Sequence, residues 1–110
     1  FEYGLERLIF EMKSQTKVFV IGLTPVKEDK MPFAGCLWYS NDFCHSYERR
    51  MEEVCINQDI PFLPTFREMY SDPRSKNWIS DDGIHLNSNG HLWIYQRLKS
   101  WDILKKWKES

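Results

Sequence analysis

Lys17-Val18-Phe19-Val20-Ile21-Gly22-Leu23 is a short, almost unbroken run of apolar and β-branched residues. A strand with one face in water alternates apolar and polar side chains; a strand covered on both faces does not. The run therefore predicts a buried strand over 17–23, part of a parallel sheet with helices packed on it. Thr24-Pro25 ends the strand, because Pro25 has no N–H to give to a ladder. Upstream, Leu5, Leu8, Ile9 and Met12 recur at helical spacing, with Glu2, Glu6, Arg7, Glu11 and Lys13 between them. This predicts a helix over 2–14. A helix running straight into a buried strand is half of an α/β unit.

Downstream of the strand, residues 26–39 form a long connection. In an open α/β sheet the loop leaving the C-terminal end of a strand lies on the ligand side, and long loops tend to carry function. Met31, Phe33, Leu37 and Trp38 are therefore candidate substrate-binding residues; the alternative is that they cover the edge of the core. Ser40 has N-cap chemistry and opens a second predicted helix, which runs to about Gln58. Phe43, Tyr47, Met51, Val54 and Cys55 form its apolar stripe, and Glu48, Arg49, Arg50, Glu52 and Glu53 are assigned to its solvated face. Asp59-Ile60-Pro61 ends it. Residues 61–66 (PFLPTF) predict a second strand, limited by Pro64, and residues 69–81 a polar, turn-rich loop pinned by Trp78 and Ile79. Asn87 is an N-cap for a last helix reaching about Lys106, with Ile94, Leu98, Trp101 and Leu104 on its buried face.

The 110 residues make one small domain or a piece of a larger one. They are 42% hydrophobic and 15% aromatic, which supplies a core and excludes disorder. The 15 basic and 16 acidic residues leave a net charge of −1, which argues against a nucleic-acid partner or a polybasic membrane module. No apolar run approaches the roughly 20 residues of a membrane span. Cys36, Cys44 and Cys55 are odd in number and share no regular spacing, so free thiols in a reducing, cytoplasmic compartment are expected. A zinc site would need ligand pairs at short spacing. Cys36, Cys44, His45 and Cys55 do not provide them, so no metal is predicted, and Cys44 and Cys55 are assigned to the core.

Asp82-Gly83-Ile84-His85 continues as Leu86-Asn87-Ser88-Asn89-Gly90-His91. A carboxylate three residues before a histidine can turn back and accept from the imidazole Nδ1–H. That fixes the tautomer and leaves Nε2 free as a base. The bland alternative is a surface turn in which Asp82 caps a backbone amide and His85 is solvated. His91, in the first turn of the last helix, is assigned a structural role, and Gly90 a close packing contact.

The stretch D-G-I-H-L-N-S-N-G-H resembles the last motif of the SGNH hydrolases, the GDSL esterase/lipase family, whose pattern is close to D-G-x-H-P-x-x-x-G-H; Leu86 stands where proline is common. V-F-V-I-G-L-T-P-V is similar to that family's penultimate strand and the loop after it. The resemblance implies a three-layer α/β/α, flavodoxin-like fold with a parallel sheet. Residues 1–110 would be the C-terminal portion of a single domain, its N-terminal strands missing. It implies that His85 is the general base and Asp82 the residue that orients it, in a serine acyl-enzyme ester hydrolase without metal or organic cofactor. The family's nucleophilic serine, in a Gly-Asp-Ser segment, and its oxyanion-hole glycine and asparagine all precede the matched region. Asn41-Asp42 has the letters of the family's Asn-Asp pair but follows the strand and lacks its glycine context. The implied partners are a small ester substrate and either the missing N-terminal half or a symmetry-related chain, since two strands alone do not make a stable sheet. The rival reading is a non-catalytic fragment or interaction domain.

Overall fold

The computed structural model describes residues 2–109; Phe1 and Ser110, the ends of the predicted unit, lie outside the described residues. Helix α1 (Glu2–Lys13) leads into strand β1 (Val20–Ile21), and helix α2 (Asn41–Asn57) into strand β2 (Phe62–Leu63). Helix α3 (Thr65–Tyr70) follows β2 almost at once, and α4 (Ser88–Ser100) and α5 (Asp102–Glu109) close the chain. The architecture is mixed α/β, mostly helical, with a small parallel sheet in the register Val20↔Phe62 and Ile21↔Leu63.

The sheet is shorter than the apolar runs that predicted it. Val20 N–H donates to Pro61 O at 3.0 Å and Gly22 N–H to Leu63 O at 2.8 Å, and the ladder ends there. Val18 is buried all the same, so side-chain packing continues where strand pairing stops. Side chains alternate across a strand. Val20 accordingly faces the cluster of Ile9, Val54 and Cys55, with Leu5, Ile60 and Phe62 against it. Phe19, on the opposite face, meets Trp101 at 5.7 Å and Trp107 at 5.6 Å, edge to face.

Two predicted elements and the placement of one side chain need correction. The expected strand over 61–66 stops at Leu63, and Thr65 begins a helix. Pro64 sets the break, and the carboxylate of Glu48 accepts from Phe66 N–H at 2.7 Å and Arg67 N–H at 3.0 Å, which nucleates α3. The expected last helix is two helices. Trp101 leaves helical geometry (φ −73°, ψ 109°) and turns into the core, 7% exposed, while its carbonyl accepts from Lys105 N–H to start α5. Glu48, expected on the solvated face of α2, is 3% exposed.

Two predicted stripes are only partly buried. On α1, Ile9 is buried, but Leu8 and Met12 are exposed; on α2, Val54 and Cys55 are buried, but Phe43 and Tyr47 are exposed. Both N-caps behave as expected. Ser40 accepts from Phe43 N–H, and Asn87 from Gly90 N–H. Trp78 and Ile79 pin the loop after α3 as predicted, at 7% and 4% exposure. Among the described residues, no helix is long and apolar enough to cross a membrane.

Candidate functional site

Asp82 and His85 sit in a tight turn between a 3-10 turn (Ser75–Trp78) and α4. An antiparallel bridge, Ile79↔Leu86, closes its base. Above that bridge, Ser80 N–H donates to His85 O at 2.8 Å and Gly83 N–H to Ser80 O at 3.0 Å. Gly83 has φ +87°, and a Cβ there would lie 2.6 Å from the Cβ of Lys30. Its carbonyl accepts from Lys27 N–H at 2.8 Å, so the turn is docked on the loop that follows β1. A side chain at position 83 meets both obstacles at once, the left-handed backbone and the Lys30 stem.

The Asp82 carboxylate organises the turn. Its Oδ1 accepts from Ile84 N–H at 2.9 Å and His85 N–H at 3.0 Å, and its Oδ2 takes the Nδ1–H of His85 at 2.5 Å. The Ser80 hydroxyl has one proton and lies 2.7 Å from His85 O and 3.2 Å from Asp82 Oδ1. The His85 backbone amide, the His85 ring and the Ile84 amide, in that order, hold the Asp82 carboxyl well below its ordinary pKa. The aspartate is thus ionised and held rigidly, with the imidazole ring fixed by its Nδ1. The His85 side chain is 68% exposed, and among the described residues no side chain bonds its Nε2. The pair can accept a proton at Nε2 and stabilise the imidazolium that results.

The helix after the turn is fixed just as closely. Asn87 caps α4 and also donates from Nδ2 to Asn77 O at 2.8 Å. Gly90 is buried, and a Cβ there would lie 2.5 Å from Trp78 O, so the glycine brings the first turn of α4 onto the loop. His91, expected to be structural, has an exposed side chain; its N–H donates to Asn87 O at 3.0 Å in the first turn of α4.

The four candidate substrate residues separate. Phe33 packs edge-on against the His85 ring, with centroids 6.1 Å apart, and against Tyr39 at 6.4 Å. Met31 is half-buried and its Sδ accepts from Tyr39 N–H, which shapes the loop. Leu37 pairs with Phe33 through the backbone and leaves its side chain 46% exposed. Trp38 lines a cavity of about 680 Å³ with Leu23, Thr24 and Val26 from the end of β1, Tyr39 and Ser40 from the loop, and Phe43, Cys44 and Tyr47 from α2. Ile84, between Asp82 and His85, completes the wall and joins the cavity to the turn. Sequence reasoning placed Phe43, Cys44 and Tyr47 in the core. The available signal was their position: the first turns of a helix that starts on the ligand side of the sheet.

Asn41, set aside in the sequence as a chance match, has a structural role that its position does not announce. It is buried, and its side chain accepts from Val26 N–H at 2.9 Å and donates to Val26 O at 3.0 Å, clamping the backbone as it leaves β1. Burial raises the Cys44 thiol pKa, with smaller contributions from Glu48 and Glu28. All three cysteines are free, and among the described residues no three potential metal ligands come together. Compared with family models, with curated proteins and with solved structures, the chain matched none.

Proposed function

We propose that this chain is the acid-base half of an SGNH-type ester hydrolase that works through a serine acyl-enzyme. One observation carries the reading: a carboxylate tied to its own turn holds the Nδ1–H of a histidine whose Nε2 is left open. In the reaction, His85 Nε2 takes the proton of a serine hydroxyl as that oxygen attacks the ester carbonyl. It then gives the proton to the leaving alcohol, and the cycle repeats with water. Asp82 keeps the tautomer and stabilises the imidazolium. The serine and the oxyanion donors come from a segment outside these 110 residues, which packs beside β1 to complete a three-layer α/β/α sandwich. Two features support such a neighbour. Val20 and Gly22 turn their N–H groups to β2, so Ile21 between them presents its own to the outer edge, where a further strand would pair. Large side chains also stay in water, among them Tyr3 at 75% and Phe10 at 66% exposure.

The test is a fluorophosphonate probe, which traps activated serines, applied to the longer polypeptide that carries this chain. The expected adduct lies on a serine outside residues 1–110 and is lost in His85→Ala. Undiminished labelling in His85→Ala sinks the assignment of His85 as base.

A further inference from the structure

We infer that the cavity beside the Asp82–His85 turn binds the neutral, apolar acyl group of the substrate. The inference rests on the ester-hydrolase reading for the word substrate, but the binding it describes can be measured without catalysis. Three observations carry it. None of the lining side chains is charged, so the cavity offers no countercharge to a phosphate, a sugar acid or an ammonium group. Its volume, about 680 Å³, lies within the range of pockets that enclose small organic molecules. Its walls include Trp38 at 72% and Phe43 at 64% exposure, apolar surface that gains by being covered. The position selects the occupant. Ile84 is both a wall of the cavity and the residue before His85, and Phe33 bridges the imidazole to Tyr39 on the cavity rim. Ile84 in the wall and Phe33 against the ring thus set the cavity beside the turn that carries His85, where an acyl group held between Trp38, Phe43 and Tyr47 would lie next to the proposed base.

Cys44 in the wall provides the readout, and exposed Cys36 the internal control. Saturated methyl ketones imitate an acyl group and cannot be hydrolysed. The longer polypeptide that carries this chain is alkylated with iodoacetamide at alkaline pH, where the raised Cys44 thiol ionises, and the rate at each cysteine is read by peptide mass. Ketone is expected to slow Cys44 several-fold and leave Cys36 unchanged. Apparent affinity should rise about fourfold with each added methylene until the cavity is full. Amide shifts of Val26 and Tyr47 in the same titration give a second readout, independent of thiol chemistry. His85→Ala should bind ketone like the parent chain. Phe43→Glu should not, because it sets a carboxylate in the wall. That variant should keep the fold, which a thermal melt checks: Ser40 already accepts from Phe43 N–H at 3.1 Å, so glutamate three residues after the cap suits a capping box.

Cys44 rates and amide shifts that ignore ketone overturn the proposal. So does protection that persists in Phe43→Glu, or protection that follows protein concentration instead of ketone, which would place a second copy in the cavity. Ketone protection in a full-length protein without esterase activity keeps the binding site and removes the hydrolase reading.

Discussion

The carboxylates of Asp82 and Glu48 each hold several N–H groups, and they do different work. Asp82 accepts from the amides of Ile84 and His85 and from the His85 ring, all within three residues of itself, at the surface. Glu48 is buried and accepts from Leu23 N–H at 3.1 Å, Phe66 N–H at 2.7 Å and Arg67 N–H at 3.0 Å, reaching 18 to 25 residues along the chain. All of Glu48's partners are backbone, and none can carry a proton away. It fastens the end of β1 and the start of α3 to α2. One partner of Asp82 is an exposed imidazole whose Nε2 meets no side chain among the described residues. A buried carboxylate with backbone partners holds distant segments together; an exposed one with an imidazole partner fixes that ring's tautomer and orientation.

The largest expected effect separates the two in activity. His85→Ala should lower kcat for ester hydrolysis in the longer polypeptide by about four orders of magnitude or more, because triad members act as a unit. The melting temperature should stay within about 4 °C, since the ring is exposed. Steady-state kinetics beside a thermal melt decides it. A large loss of stability with little loss of rate would reverse the roles drawn above.

Glu48→Gln should do the converse. Its amide nitrogen cannot accept, so at least one of the three backbone donors is left facing an N–H inside the protein. The expected cost is about 3 kcal/mol in urea unfolding, with the Asp82–His85 turn unchanged in the molecules that remain folded.

Gly22 sharpens this further. A Cβ there would overlap Glu48 Oε1, so Gly22→Ala pushes the carboxylate off its amides. The substitution should cost about 2 kcal/mol in the parent chain and less than about 0.5 kcal/mol in a Glu48→Ala background. Additive costs in that double-mutant cycle would mean that Gly22 matters for another reason.

The same contrast explains what the sequence made legible. Asp82, Gly83 and His85 are near neighbours, and their hydrogen bonds are local, so the motif could be read from spacing alone. The caps at Ser40 and Asn87 and the close approach at Gly90 are local too, and they were legible for the same reason. Glu48 was not: by helical position it belongs with Arg49, Glu52 and Glu53, and only partners 18 to 25 residues away draw it inward. The helix at Thr65 was hidden by the same fact, since its cap comes from α2. The break at Trp101 has no glycine or proline to announce it; it follows from the ring reaching Phe19, which is far away in sequence. Phe43 and Tyr47 fit the core stripe of α2 by periodicity. Periodicity marks a helix face without saying whether that face meets protein or a cavity.

The smallest effect concerns acid. The folded turn holds the Asp82 carboxyl below its ordinary value of 3.8, mainly through the His85 amide, then the His85 ring and the Ile84 amide. A group whose pKa is depressed by folding contributes stability that is fully present above the unfolded value. That contribution fades as pH falls from there through the folded value. Asp72, held by the guanidinium and amide of Arg74, behaves alike, with its carboxyl lowered to about 2. Carbon-13 carboxyl titration should therefore find Asp82 still ionised at pH values where an ordinary aspartate is half protonated. Asp82→Asn should remove the turn's share of the acid dependence and leave that of Asp72. Because both carboxylates are at the surface, salt should weaken the effect. An Asp82 that titrates at 3.8 would mean that the turn does not hold its histidine in solution, and the contrast with Glu48 would then rest on burial alone.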